Sequence, residues 1–105
     1  MSTTWTDVAA ATDLFEGAAI AVTPDGHDIA LYLIDGAVYA TGNLCTHGNA
    51  RLCDGFLEGH EIECPFHQGR FDVRTGAACG EPATDALKTW PVKMEAGRVY
   101  LNLSA

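Results

Sequence analysis

Two short stretches hold the residues best suited to chemistry. They are Cys45-Thr46-His47-Gly48 and Cys64-Pro65-Phe66-His67-Gln68-Gly69. Each offers one thiolate and one imidazole at close spacing, Cys-x-His in the first and Cys-x-x-His in the second. Two soft sulfurs and two ring nitrogens converging on one point describe a metal site. Gly48 and Gly69 permit close backbone approach, and Pro65 stiffens the second loop. Backbone amides in such turns can point at an anion or at cluster sulfides.

Two metal readings fit this donor set. One is a tetrahedral zinc site, although zinc modules usually pair Cys with Cys and His with His. The other is a [2Fe–2S] cluster in which two histidines replace two cysteines on one iron. In that cluster the two thiolates cancel the charge of two ferric ions and two sulfides, whereas four thiolates would leave a dianion. A neutral centre accepts an electron more readily, so its potential lies at roughly −150 to +300 mV against about −400 mV for the all-cysteine plant type. Such a centre moves one electron and has no evident open coordination position, as befits a carrier and not a catalyst.

The elements around the two loops read as an all-β domain. Short apolar runs alternate with turn signals. Trp5 to Val8 can open a sheet. Ala18 to Val22 reads as a strand stopped by Pro24-Asp25-Gly26, and Asp28 to Ile34 is a second run. Asp35-Gly36 is a hairpin turn, and Ala37 to Ala40 returns. Between the metal loops, Phe56 to Glu63 reads as a small hairpin turning at Gly59-His60, and Arg70 to Val73 as a further strand. The 77–86 stretch has no periodicity and reads as a loop. Trp90, Val92 and Met94 share one face, Pro91 marks an edge position, and Val99, Leu101 and Leu103 alternate after a turn at Ala96-Gly97. The only helix suggested is a weakly patterned one in the 7–16 region.

The chain has 105 residues, enough for one domain, with 48% hydrophobic and 19% charged side chains. Net charge is −8, from 6 basic and 14 acidic residues, which argues against a nucleic-acid partner. An acidic surface suits docking on a basic protein patch as well as simple solubility. Asp54, Glu58, Glu61, Glu63, Asp72, Glu81 and Asp85 gather in sequence around the metal loops, either as a solvated rim or as a steering surface. No apolar stretch approaches the roughly 20 residues of a membrane span, and no signal peptide precedes Asp7. A cytoplasmic location with no membrane contact is expected. In a reducing compartment the four cysteines serve metal ligation better than disulfides. Cys53 and Cys79 read as unpaired thiols in packed loops, His27 and His60 as exposed, and Trp5 and Trp90 as core residues.

The run Cys45-Thr46-His47-Gly48 with Cys64-Pro65-Phe66-His67-Gln68-Gly69-Arg70-Phe71-Asp72 resembles the Rieske-type [2Fe–2S] ferredoxins of bacterial aromatic-ring-hydroxylating dioxygenases, of the naphthalene dioxygenase type. The resemblance covers nearly the whole chain. It implies one Rieske domain over residues 1–105, with antiparallel β-sheets in a sandwich- or barrel-like base. A small cluster-binding subdomain at about 43–73 is inserted in it, and a loop near 80–84 covers the cluster. It implies that Cys45 and Cys64 hold one iron and His47 and His67 the other, with Leu52, Phe66 and Gln68 beside the cluster or rimming a docking face. The implied partners are an NAD(P)H-dependent flavin reductase and a terminal oxygenase, served by a monomeric one-electron carrier. Respiratory Rieske proteins carry an additional cysteine in each loop where this chain has Ala50 and Phe66, and a serine where it has Gly69. Fewer polar donors near the cluster imply a potential at the low end of the range. The alternatives are a Rieske-type small subunit of another oxidoreductase, such as a nitrite reductase, and a structural zinc module.

Overall fold

Residues 4–45, 50–65, 69–80 and 85–104 are described by a computed structural model. Among the described residues, ten strands form three antiparallel sheets. The first joins β1 (Thr6–Ala10), β10 (Arg98–Leu101) and β9 (Val92–Glu95), with β10 in the middle. The second is the meander β2 (Ala19–Val22), β3 (Ile29–Ile34) and β4 (Ala37–Gly42). The third takes β5 (Phe56–Glu58), β6 (Glu61–Glu63), β7 (Arg70–Asp72) and β8 (Ala78–Gly80) in chain order.

Strand β3 explains how three small sheets share an interior. Its sequence Ile-Ala-Leu-Tyr-Leu-Ile has no polar face, as expected of a strand covered on both sides. Ile29, Leu31 and Leu33 face a cluster made with Val38, Ala40, Trp90, Val99 and Leu101, between the meander and the β1-β10-β9 sheet. Ala30, Tyr32 and Ile34 face the opposite way, onto Ile62, Phe71 and Val73 of the four-stranded unit and onto Cys45, Leu52 and Cys64. Period-two alternation in one strand thus divides the interior into a base core and a site core.

The meander turns where the Asp-Gly signal places it. Asp35 and Gly36 take φ of +52° and +79°, the paired left-handed conformation of a two-residue hairpin. Glu16 braces this turn, its carboxylate accepting from the amides of Asp35 (2.6 Å) and Gly36 (3.2 Å).

Two stretches differ from expectation. Residues 7–16 hold β1 and a single 3-10 turn at Ala11–Asp13, because strand β10 offers β1 a full antiparallel partner. The 77–86 stretch is not all loop: β8 pairs with β7 through Arg70↔Gly80 and Phe71↔Ala78. Its Ala-Cys-Gly sequence carries no alternation, so only backbone pairing reveals it. Strand β9 lies at a sheet edge, as Pro91 at its start suggests, and Met94 on it is exposed.

Candidate metal centre

The two Cys/His stretches are built alike. In the first, the Cys45 amide donates to the Ala50 carbonyl at 2.9 Å. In the second, the Cys64 amide donates to the Gly69 carbonyl at 2.8 Å. Each bond links a cysteine to the residue five positions on and closes a loop at its base. An antiparallel bridge, Leu44↔Arg51, continues the first loop outward, and the β6–β7 pair Glu63↔Arg70 continues the second. Both cysteines are thiols, Cys45 4% and Cys64 0% exposed, and both belong to the site core against Tyr32, Leu52 and Phe71.

Asn43 anchors the first loop. It has no exposed surface, and its four polar groups are all engaged. Its amide donates to the Asp28 carbonyl (3.0 Å) and its carbonyl accepts from the Leu52 amide (2.6 Å). Its side-chain NH2 donates to Asp28 Oδ1 (3.0 Å), and its Oδ1 accepts from the Cys53 amide (2.9 Å). The start of β3 and the 3-10 turn Leu52–Asp54 are thereby tied to a point two residues before Cys45. The signal for Asn43 in the sequence is a lone amide at the entrance to the first loop, between Gly42 and Leu44.

Arg70 anchors the second loop. Its Nε and Nη2 lie 3.2 and 3.1 Å from Glu63 Oε1, and its Nη1 lies 3.3 Å from Glu58 and 3.6 Å from Glu61. One guanidinium so joins side chains of β5, β6 and β7. Glu58 and Glu63 raise the arginine's pKa, led by the hydrogen bond to Glu58. Nearby, Arg74 binds Asp72 through Nε and Nη2 at 3.0 and 2.9 Å and holds that carboxyl below its usual range. Four of the carboxylates expected to line a free acidic rim are therefore paired.

His47, His67, Phe66, Gln68 and the 81–84 loop lie outside the described residues. Among the described residues no group of three or more Cys, His, Asp or Glu comes together in a metal-holding arrangement. The two closed loops contain His47 and His67 in their sequences and no other Cys, His, Asp or Glu between their closing residues. Two buried thiols at the bases of equivalent loops fit the thiolate half of a Cys₂His₂ donor set for a [2Fe–2S] cluster. Leu52 is fully buried in the same site core as Cys45 and Cys64 and does not rim the surface.

The remaining candidates are placed elsewhere. Cys53 is half-buried on the outer side of the 3-10 turn, its thiol 3.9 Å from Asp54. Cys79 is exposed on β8 and not in a packed loop; its pKa is pushed up by desolvation and then by Glu61. His27 is exposed, with its ring edge against Trp90, and His60 is half-buried against Tyr39. Trp90 is a core residue, as expected, while Trp5 is half-buried under the ammonium of Lys93.

The model of the Rieske [2Fe-2S] domain matches residues 4–91. The chain belongs to this family. A zinc module is thereby set aside. The naphthalene 1,2-dioxygenase ferredoxin component of Pseudomonas putida is 54% identical over 99% of this chain and 100% of its own length. The ferredoxin component of the naphthalene 1,2-dioxygenase/salicylate 5-hydroxylase systems of Ralstonia sp. is 55% identical over 98% of this chain and 99% of its own. Among solved structures, the ferredoxin of Sphingomonas yanoikuyae B1 superimposes with a TM-score of 0.90 at 42% identity, covering 94% of this chain and 98% of that one. These Rieske relatives, matched end to end, are ferredoxin components and not oxygenases.

Proposed function

We propose that this protein is a one-electron carrier of an aromatic-ring-hydroxylating dioxygenase system, taking electrons from an NAD(P)H-dependent flavin reductase and passing them to the terminal oxygenase. The observation that carries this is the pair of equivalent closed loops, each with a buried thiol at its base, on a chain similar over its whole length to ferredoxin components. A similar ferredoxin, with a TM-score of 0.88 and 39% identity, comes from a complex of reduced oxygenase and oxidised ferredoxin in carbazole 1,9a-dioxygenase.

Cys45 and Cys64 would hold the inner iron as thiolates, and His47 and His67 the outer iron as neutral imidazoles. Bound there, the cluster supplies one-electron redox chemistry. The chain's own residues hold the two loops at fixed separation through Asn43, Arg70 and the site core, and exclude water from the sulfur side by burying both cysteines. Residues 43–73 act as the cluster-binding subdomain, with the 80–84 loop as its cover. The protein works as a cytoplasmic monomer; no helix among the described residues is long and apolar enough to cross a membrane.

Reconstitution with the purified reductase and terminal oxygenase of a naphthalene dioxygenase system tests this role. NAD(P)H oxidation coupled to dihydroxylated product is expected to require the chain and to slow as salt rises, because the carrier's charge of −8 steers it to basic patches. Product formed equally well without the chain would end the proposal.

A further inference from the structure

We infer that the charge of the Arg70 guanidinium, clasped to Glu63, Glu58 and Glu61 at the base of the second cluster loop, holds the reduction potential up. The inference rests on the cluster assignment proposed above. It begins with strand alternation. Ile62 in β6 and Cys64 just after it face inward and are fully buried, so Glu63 between them points outward. Along β7, Phe71 faces inward, and Arg70 and Asp72 point outward. Antiparallel register sets Glu63 directly opposite Arg70 in the last pair before the loop, and the next bond, Cys64 amide to Gly69 carbonyl, closes it. The ion pair is therefore covalently adjacent to both residues that close the loop.

The charge balance on this outer face is what gives Arg70 leverage. Glu58, Glu61 and Glu63 lie within reach of one guanidinium, so the four groups together carry two negative charges. Without Arg70 they carry three. Reduction adds an electron to the nearby centre, and each uncompensated carboxylate opposes that addition. Glu63 weighs most, being the least exposed of the three at 24% against 42% for Glu61 and 80% for Glu58. Burial reduces screening, so its field reaches furthest.

The test is redox titration of the holo-protein, followed by EPR and visible absorption, on wild type and four variants at low and high salt. R70Q is expected to lower the reduced-to-oxidised ratio at fixed ambient potential by about two- to tenfold, or about 20–60 mV at 59 mV per decade for one electron. R70K should stay close to wild type, because it keeps the charge. E63Q should shift the ratio the opposite way, and R70Q/E63Q should return toward wild type, since the two charge changes cancel. The shifts should shrink as salt rises.

A purely structural clasp predicts otherwise: R70K would behave like R70Q, and the double variant would not recover. Either result, or an unmoved potential in R70Q and E63Q, overturns the inference. Should R70Q fail to retain its cluster, E63Q and R70K still decide the matter. If wild type itself shows no Rieske-type EPR signal, the cluster assignment fails, an outcome distinct from a normal signal with unmoved potentials.

Discussion

Asn43 shows how much of the site depends on residues that never touch a metal. Its fully buried side chain joins Asp28 to the amide of Cys53, so truncation would leave that half-buried amide and the Asp28 carboxylate without their shared partner and open a gap in the packing. N43A is expected to cost about 2–4 kcal/mol, from the unpaired groups and lost packing together. Thermal unfolding of the holo-protein checks this, and iron content should fall with it, because the anchor lies two residues before Cys45. The proposed ligand His67 carries a second prediction at this scale. A thiolate in place of a neutral ring adds negative charge to the centre. H67C, where it retains a cluster, should move the potential toward the all-cysteine value of about −400 mV. An intact H67C cluster with an unchanged or higher potential would contradict the charge argument.

Among the elements, the short ones carry the site. Strands β5 and β6 are three residues each, yet β6 ends next to Cys64 and its position is set by a close approach. A Cβ on Gly55 would overlap the Glu63 carbonyl oxygen, so glycine is required where the 3-10 turn meets β6. G55A should force backbone apart at that point, destabilising the fold by about 2 kcal/mol or more. The predicted signature is a lowered unfolding midpoint together with reduced cluster loading. A fully loaded G55A protein of unchanged stability would rule the contact out as a constraint.

The same scale explains what could be read in the sequence. The β3–β4 hairpin was legible because Asp35-Gly36 is bounded by apolar runs, and the β5–β6 hairpin because Gly59 interrupts an alternating segment. The four candidate ligands stood out because Cys-x-His and Cys-x-x-His are rare pairings with a definite use. Strand β8 was not legible, since Ala78, Cys79 and Gly80 have no pattern and are recruited by the free edge of β7. Neither was the pairing of the glutamates. Glu58, Glu61 and Glu63 look like an open acidic rim until the register brings Arg70 across from them. Long-range register decides that pairing, and local spacing does not encode it.

Across the molecule, the two cores meet at β3, and Tyr32 reports on their integrity. Its hydroxyl is fully buried 2.9 Å from Thr41 Oγ1, and burial raises its pKa well above the ordinary 10.0. The folded state therefore retains this proton where the unfolded state releases it. The stability linked to it is complete below pH 10 and declines as the pH rises through the alkaline range. Tyr32→Phe should flatten that decline in denaturant titrations between neutral and strongly alkaline pH. An equally steep decline in the variant would mean that other groups are responsible.

The proposed ligands Cys45, His47, Cys64 and His67 would hold one Rieske-type centre between the two loops. An EPR-monitored redox titration of the iron-loaded protein tests this most directly. It should give a one-electron transition within the Rieske range of roughly −150 to +300 mV, toward its lower end, from a centre of two irons per chain. A colourless, EPR-silent protein, or a transition near −400 mV as for an all-cysteine cluster, would contradict it.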